Sequence, residues 1–198
     1  MKLLFIGNSH TFQNNLPLFV KEFCENSGVP TEVAMLAHGG RDFAFHVGEP
    51  EVHFNILYGG YDAVILQNHA HPMPDPEQMM ESGKILHSWI TEAGARDILF
   101  MPWTEEDNRA AQPKMAKSYL DLARATGASV APAGIAWWKL MDACPDLTLY
   151  AQTNHATPAG TRLAAACIAA VLLEREPNAP DELGKIMTRL AMEAIREL

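Results

Sequence analysis

Basic residues are scarce in this chain and nowhere clustered. Fifteen Lys and Arg lie scattered among 24 Asp and Glu, leaving a formal net charge of −9. Gripping a phosphate backbone takes clustered Lys and Arg, so nucleic acid is not expected as a partner. Cysteine is also sparse. Cys24, Cys144 and Cys167 are far apart and show neither a CxxC pair nor zinc-ligand spacing. They read as buried free thiols of a reducing compartment. Long apolar runs are missing too. The longest, Leu163 to Leu173, is Ala-rich and bounded by Arg162 and Glu174, short of the roughly 18–20 residues a membrane span needs. The opening MKLLFIGNSH has too short an apolar run for a signal peptide. No membrane association and a cytoplasmic location are therefore expected.

What the chain does have is ordinary globular material: 48% hydrophobic and 20% charged residues. Its 198 residues suit one domain, spanning 1–198, with neither repeat nor linker. Short aliphatic runs alternate with stretches of helical period. Strands are expected at 2–6, 32–37, 63–67, 98–101 and 129–131. Helices are expected at 16–27, 50–58, 76–93, 113–126, 137–143, 158–175 and 181–197. Thr157 before Pro158 is an N-cap with proline at the first helical position, and Gly28 and Gly127 sit where helices should stop. In the last helix Leu183, Ile186, Met187, Leu190 and Ile195 form one apolar stripe, read as core-covering. This alternation implies an α/β fold: a parallel sheet with helices on both faces, a three-layer α/β/α sandwich.

In open parallel sheets, ligands bind beyond the carboxyl ends of the strands. That rule selects the loops 7–15, 38–42, 68–76, 102–112 and 132–138, joined by the region around His155. In the first, Gly7-Asn8-Ser9 turns sharply off a strand and exposes a serine. In the second, His38-Gly39-Gly40-Arg41-Asp42 allows close approach to backbone N–H groups. The third strand runs into Gln67-Asn68-His69, two amides able to donate to developing negative charge. Asn154-His155-Ala156-Thr157-Pro158 sets a histidine just before a capped helix. Each segment alone also fits an ordinary turn, cap or solvated His. Their order carries the information.

That order, Ser9, Gly40, Asn68, His155, resembles the blocks of the SGNH (GDSL-like) hydrolase superfamily, and the similarity runs from Leu3 to about Ala170. Gly40-Arg41 is similar to the Gly block of its carbohydrate acetylesterase branch, and Pro132-Ala133-Gly134-Ile135-Ala136-Trp137 to a segment of bacterial members. The resemblance implies a five-stranded sheet in the order 2-1-3-4-5 and a serine esterase without cofactor or metal. It implies Ser9 as nucleophile and His155 as its general base. The oxyanion would lie against the N–H groups of Ser9 and Gly40 and the amide of Asn68.

One position departs from the pattern. The superfamily has Asp three residues before the histidine, and here that position is Gln152. Either Gln152 substitutes for the acid or another group, a main-chain carbonyl or an acid such as Asp146, holds the imidazole. Gln67 remains an alternative to Asn68 as donor. A small-molecule ester is the expected partner, with a short-chain or carbohydrate-linked acyl group, since no lid-like apolar insertion is visible. His69, Trp103 and Trp137 are expected to line the substrate site, and Trp138 lies in the same loop. The rival readings are an SGNH-like binding protein with an impaired site, suggested by Gln152, and a metal-dependent hydrolase using His69-Ala70-His71 with His10, His38 or His46. Against the second, Pro72 and Pro74 mark that segment as loop.

Overall fold

The structure is a computed structural model and describes residues 1–73 and 75–198. Strands β1 (Lys2–Gly7), β2 (Glu32–Ala37), β3 (Ala63–Leu66), β4 (Arg96–Phe100) and β5 (Ser129–Ala131) are parallel and pair in the order β2-β1-β3-β4-β5. This is the expected order. The inner strands alternate between two buried faces. Leu3, Phe5, Ala63, Ile65, Ile98 and Phe100 point into one core. Leu4, Ile6, Val64, Leu66 and Leu99 point into the other. A sheet covered on both faces reads as a continuous apolar run for this reason.

Helices fill both layers. They are α1 (Ser9–Phe12), α2 (Leu16–Asn26), α3 (Phe43–Gly48), α4 (Pro50–Tyr58), α5 (Pro76–Glu92), α6 (Gln112–Thr126), α7 (Ala133–Ala143), α8 (Pro158–Leu173) and α9 (Glu182–Arg196). α2, α7, α8 and α9 pack over the first core, and α4, α5 and α6 over the second. The expected caps are present. Thr157 accepts from the N–H of Gly160, Asp181 from Gly184, and Gly127 ends α6 at φ 85°. Within the last-helix stripe, Met187 and Leu190 are buried while Leu183, Ile186 and Ile195 pack partly buried against the same core. Cys24 and Cys167 are buried free thiols and Cys144 is half-buried. Burial pushes the Cys24 thiol up to about 11. Among the described residues, no helix is long and apolar enough to cross a membrane.

Three local expectations need correction. α1 falls in the expected loop 7–15 and α3 in a stretch with no expected element, because four and six residues are too few to show a helical period. β4 begins at Arg96 and ends at Phe100, two residues early and one early. α7 begins at Ala133, so most of the expected 132–138 loop is helix. Gly134 explains that error, since a glycine two residues after a proline reads as a turn. Here it is needed for close approach: a Cβ there would lie 2.2 Å from the carbonyl oxygen of Pro102.

α8 is buried on most of its surface, and its alanines let α2, α7 and α9 pack closely against it. Gly160 in its first turn faces the Trp137 ring. An added Cβ would lie 2.4 Å from that ring and 2.8 Å from the Leu149 carbonyl oxygen. Neither neighbour can move freely. Gly160→Ala is therefore expected to destabilise the fold by about 1–3 kcal/mol, read as a lower urea midpoint at unchanged slope.

Candidate active site

The sheet register brings the first three loops to one edge. Gly7 pairs with Ala37 and Ile6 with Leu66, so β1, β2 and β3 end nearly level. The ladder continues one residue further: His38 N–H donates to Gly7 O (3.0 Å) and Gln67 N–H to Ile6 O (2.9 Å). Gly7 is required sterically, because a Cβ would lie 2.3 Å from Thr11 Oγ1 and 2.8 Å from Gln67 Oε1. Buried Asn8 caps α1, its Oδ1 accepting from His10 N–H (3.1 Å), while its Nδ2 donates to Arg41 O (2.9 Å) on the second loop. That second loop is a turn closed by Arg41 N–H donating to His38 O (3.2 Å). Gly40 sits in it at φ 67°, a conformation glycine adopts without penalty.

The two amides after β3 have different work. Gln67 is fully buried, and Oε1 accepts from Asn8 N–H (3.1 Å) and from the Thr11 hydroxyl (2.9 Å). Its Nε2 donates to Asn68 O. Both ends of this amide are spent internally. Asn68 Oδ1 accepts from Phe43 N–H and His69 N–H, each at 2.9 Å. Two donors on one atom fix which end of the amide is oxygen. Nδ2 makes no hydrogen bond among the described residues, so Asn68 and not Gln67 holds a free donor. The Asn68 N–H in turn donates to the buried Tyr119 hydroxyl (3.2 Å).

His155 arrives from the far end of the chain. Its Nε2 lies 2.7 Å from Ser9 Oγ, and both residues are half-buried. A hydroxyl hydrogen-bonded to an imidazole can pass it a proton while attacking an electrophile. The Nδ1 atom lies 2.8 Å from Thr153 Oγ1, and the Thr153 hydroxyl donates to Gln152 O (2.6 Å). The segment is anchored on several sides. Tyr150 and Ala156 form an antiparallel bridge, Trp103 Nε1 donates to Asn154 O (2.9 Å), and Asn14 Nδ2 donates to Ala156 O (2.8 Å).

Several expected site residues lie elsewhere than foreseen. Trp103 and Trp137 are 1% and 0% exposed and stack on each other with centroids 3.8 Å apart. They pack in the core and offer no face to a substrate. Trp138 is also buried. The Gln152 side chain is exposed and makes no hydrogen bond among the described residues; only its carbonyl is engaged. Asp146 is exposed as well. His69 is half-buried beside Asn68, its Nδ1 3.0 Å from Pro72 O. His71 sits 3.4 Å from Glu105 and against the His10 ring. Among the described residues no three His, Cys, Asp or Glu are grouped to hold a metal ion. Pro74, used with Pro72 to read a loop, lies outside the described residues. Asn8, Thr11, Tyr119 and Thr153 were missed. Only Asn8, within the Ser9 turn, carried a sequence signal.

Three histidines, His10 and His46 buried and His71 half-buried, have their pKa lowered. Desolvation lowers His10 well below its ordinary value, with His71, His155 and His69 adding in that order. His46 and His71 are lowered mainly by burial, against the pull of the Gly7 carbonyl and Glu105 respectively. The unfolded chain takes up protons below about pH 6.5 that these rings refuse when folded. Stability is thus full above that pH and falls as pH drops below it. Thermal unfolding between pH 7.5 and 5 should show a falling midpoint, and His46→Gln, which still has a donor for Gly7 O, should make the fall shallower.

No family model and no curated protein matches this chain. Solved structures do. One is a putative SGNH hydrolase from Slackia heliotrinireducens: TM-score 0.70, 25% identity, covering 87% of this chain and 98% of that one. Another is a DUF4886 family protein from Bacteroides uniformis: TM-score 0.76, 18% identity, covering 99% and 95%. A third is a catalytic mutant of an acetylxylan esterase from Geobacillus stearothermophilus: TM-score 0.62, 16% identity, covering 88% and 93%. Its strand order and these likenesses give the chain the fold of the SGNH hydrolases.

Proposed function

We propose that this protein is a serine ester hydrolase acting through an acyl-enzyme on a small or carbohydrate-linked short-chain ester. The observation that carries the reading is the 2.7 Å contact between Ser9 Oγ and His155 Nε2, residues 146 apart in sequence, at the edge where Asn68 presents a free amide. Ser9 Oγ attacks the ester carbonyl as His155 takes its proton. The tetrahedral oxyanion forms against the N–H groups of Ser9 and Gly40 and against Asn68 Nδ2. Each such donor is worth about 3–4 kcal/mol of barrier. His155 then protonates the leaving alcohol, and water repeats the cycle to release the acid.

A small acyl group is favoured by what surrounds the site. The 102–112 loop offers Glu105, Glu106, Asp107 and Asn108, with no apolar lid. With both tryptophans in the core, His69 is the remaining candidate for contact with the substrate. One structural neighbour, an acetylxylan esterase, points the same way. The rival reading of an impaired binding protein draws on Gln152, whose side chain does not touch His155. It is answered by Thr153, which occupies Nδ1 instead.

An aryl ester series from acetate to dodecanoate tests the proposal. Turnover should be greatest with acetate to butyrate, and absence of turnover on every ester would leave the binding-protein reading. On the best ester, Asn68→Ala should lower kcat about a hundredfold or more with KM little changed. An effect confined to KM would make Asn68 a substrate-positioning residue.

A further inference from the structure

Resting on the esterase reading above, we propose that the Thr153 hydroxyl does the work of the missing acid, fixing the His155 tautomer through the Gln152 main chain. A neutral imidazole serves Ser9 only when Nδ1 carries the proton and Nε2 the lone pair. A carboxylate enforces this because it can only accept. A hydroxyl has one hydrogen and two lone pairs and is normally ambiguous. The Gln152 carbonyl can only accept and lies 2.6 Å from Oγ1; with the single Thr153 hydrogen in that bond, Oγ1 accepts from His155 Nδ1–H at 2.8 Å. Nε2 is then the acceptor for the Ser9 hydroxyl at 2.7 Å. A chain of three hydrogen bonds with one direction results.

The backbone bears the mark of this arrangement. Thr153 stands at φ 57°, ψ 35°, left-handed space that a β-branched residue rarely enters and that costs about 1–3 kcal/mol. Such a conformation persists only where the surroundings impose it. Ala151 N–H donates to His155 O (2.7 Å) and His155 N–H to Gln152 O (3.3 Å), closing the loop on itself. Glu106 N–H donates to Asn154 Oδ1 (3.1 Å), holding it from outside. That geometry turns the Gln152 side chain out to solvent and brings the next residue's hydroxyl to the Nδ1 edge of the ring. Thr153 is a positioning residue and does not touch the substrate.

The test has a readout that needs no substrate. Nitrogen-15 NMR of wild-type protein at a pH where the ring is neutral should show His155 as the Nδ1–H form, and Thr153→Val should convert it to a mixture. Kinetically, Thr153→Val should lose about tenfold or more in kcat with KM within about twofold, and Thr153→Ser should recover most of the loss. The loss in Thr153→Val should exceed that in Gln152→Ala. A wild-type His155 carrying its proton on Nε2 would overturn the proposal, whether or not any variant folds. So would a Gln152→Ala loss larger than that of Thr153→Val. Wild type that turns over no ester while showing the Nδ1–H form would sink the esterase reading and leave the Thr153 contact standing.

Discussion

The carbonyl of the Gln67 side chain ties together the edge of the sheet on which everything else is built. It is buried at the end of β3 and accepts from the backbone of Asn8 and the hydroxyl of Thr11, so the turn carrying Ser9 is fixed to the neighbouring strand. Asn8 passes the constraint on, donating to Arg41 O on the glycine turn. Three loops from three adjacent strands thus share one network with no side chain reaching solvent to complete it. A buried amide left unpaired costs about 1–3 kcal/mol, so the network holds as a unit. It also explains the division of labour after β3. Gln67 is consumed by structure, and Asn68 is free.

The histidine reaches this edge by a different route. α8 is wedged among α2, α7 and α9 by its alanines, and Thr157 caps its start. The residues just before that cap are held from three directions, by Trp103 through Asn154, by Asn14 through Ala156, and by the Tyr150–Ala156 bridge. Asn14 follows the short helix α1 that Ser9 opens and adopts a left-handed conformation that asparagine tolerates. The Ser9 loop therefore positions its own partner. His10, neutral and buried, packs its ring 5.0 Å from that of His155 and 5.1 Å from Trp103, filling the space beneath the pair without adding charge.

Much of this was written in the sequence, and the exceptions have physical causes. Alternating aliphatic runs and Pro-capped helices pointed to the layers, and the resemblance carried by the order Ser9, Gly40, Asn68, His155 implied the sheet topology. The two helices of four and six residues escaped because a helical period needs a longer window. Trp103 and Trp137 looked like rim residues because they fall in the segments 102–112 and 132–138 beyond the carboxyl ends of strands. Yet burying the Trp103 indole N–H is cheap because the Asn154 carbonyl meets it, and Trp137 follows by stacking on the Trp103 ring. Which amide follows β3 as donor was undecided in one dimension, since it depends on partners 25 and 59 residues away. Thr153 was invisible for a deeper reason. Its role comes from a left-handed backbone that threonine's own preferences oppose, imposed by contacts from elsewhere in the fold.

Ser9 is the claim from which the mechanism follows. Labelling the folded protein with a fluorophosphonate and mapping the modified peptide tests it most directly, because the reagent reacts with a serine only when a base activates it. The account predicts a single adduct on Ser9, abolished in Ser9→Ala together with ester turnover. An adduct on another serine, or undiminished turnover in Ser9→Ala, would contradict it.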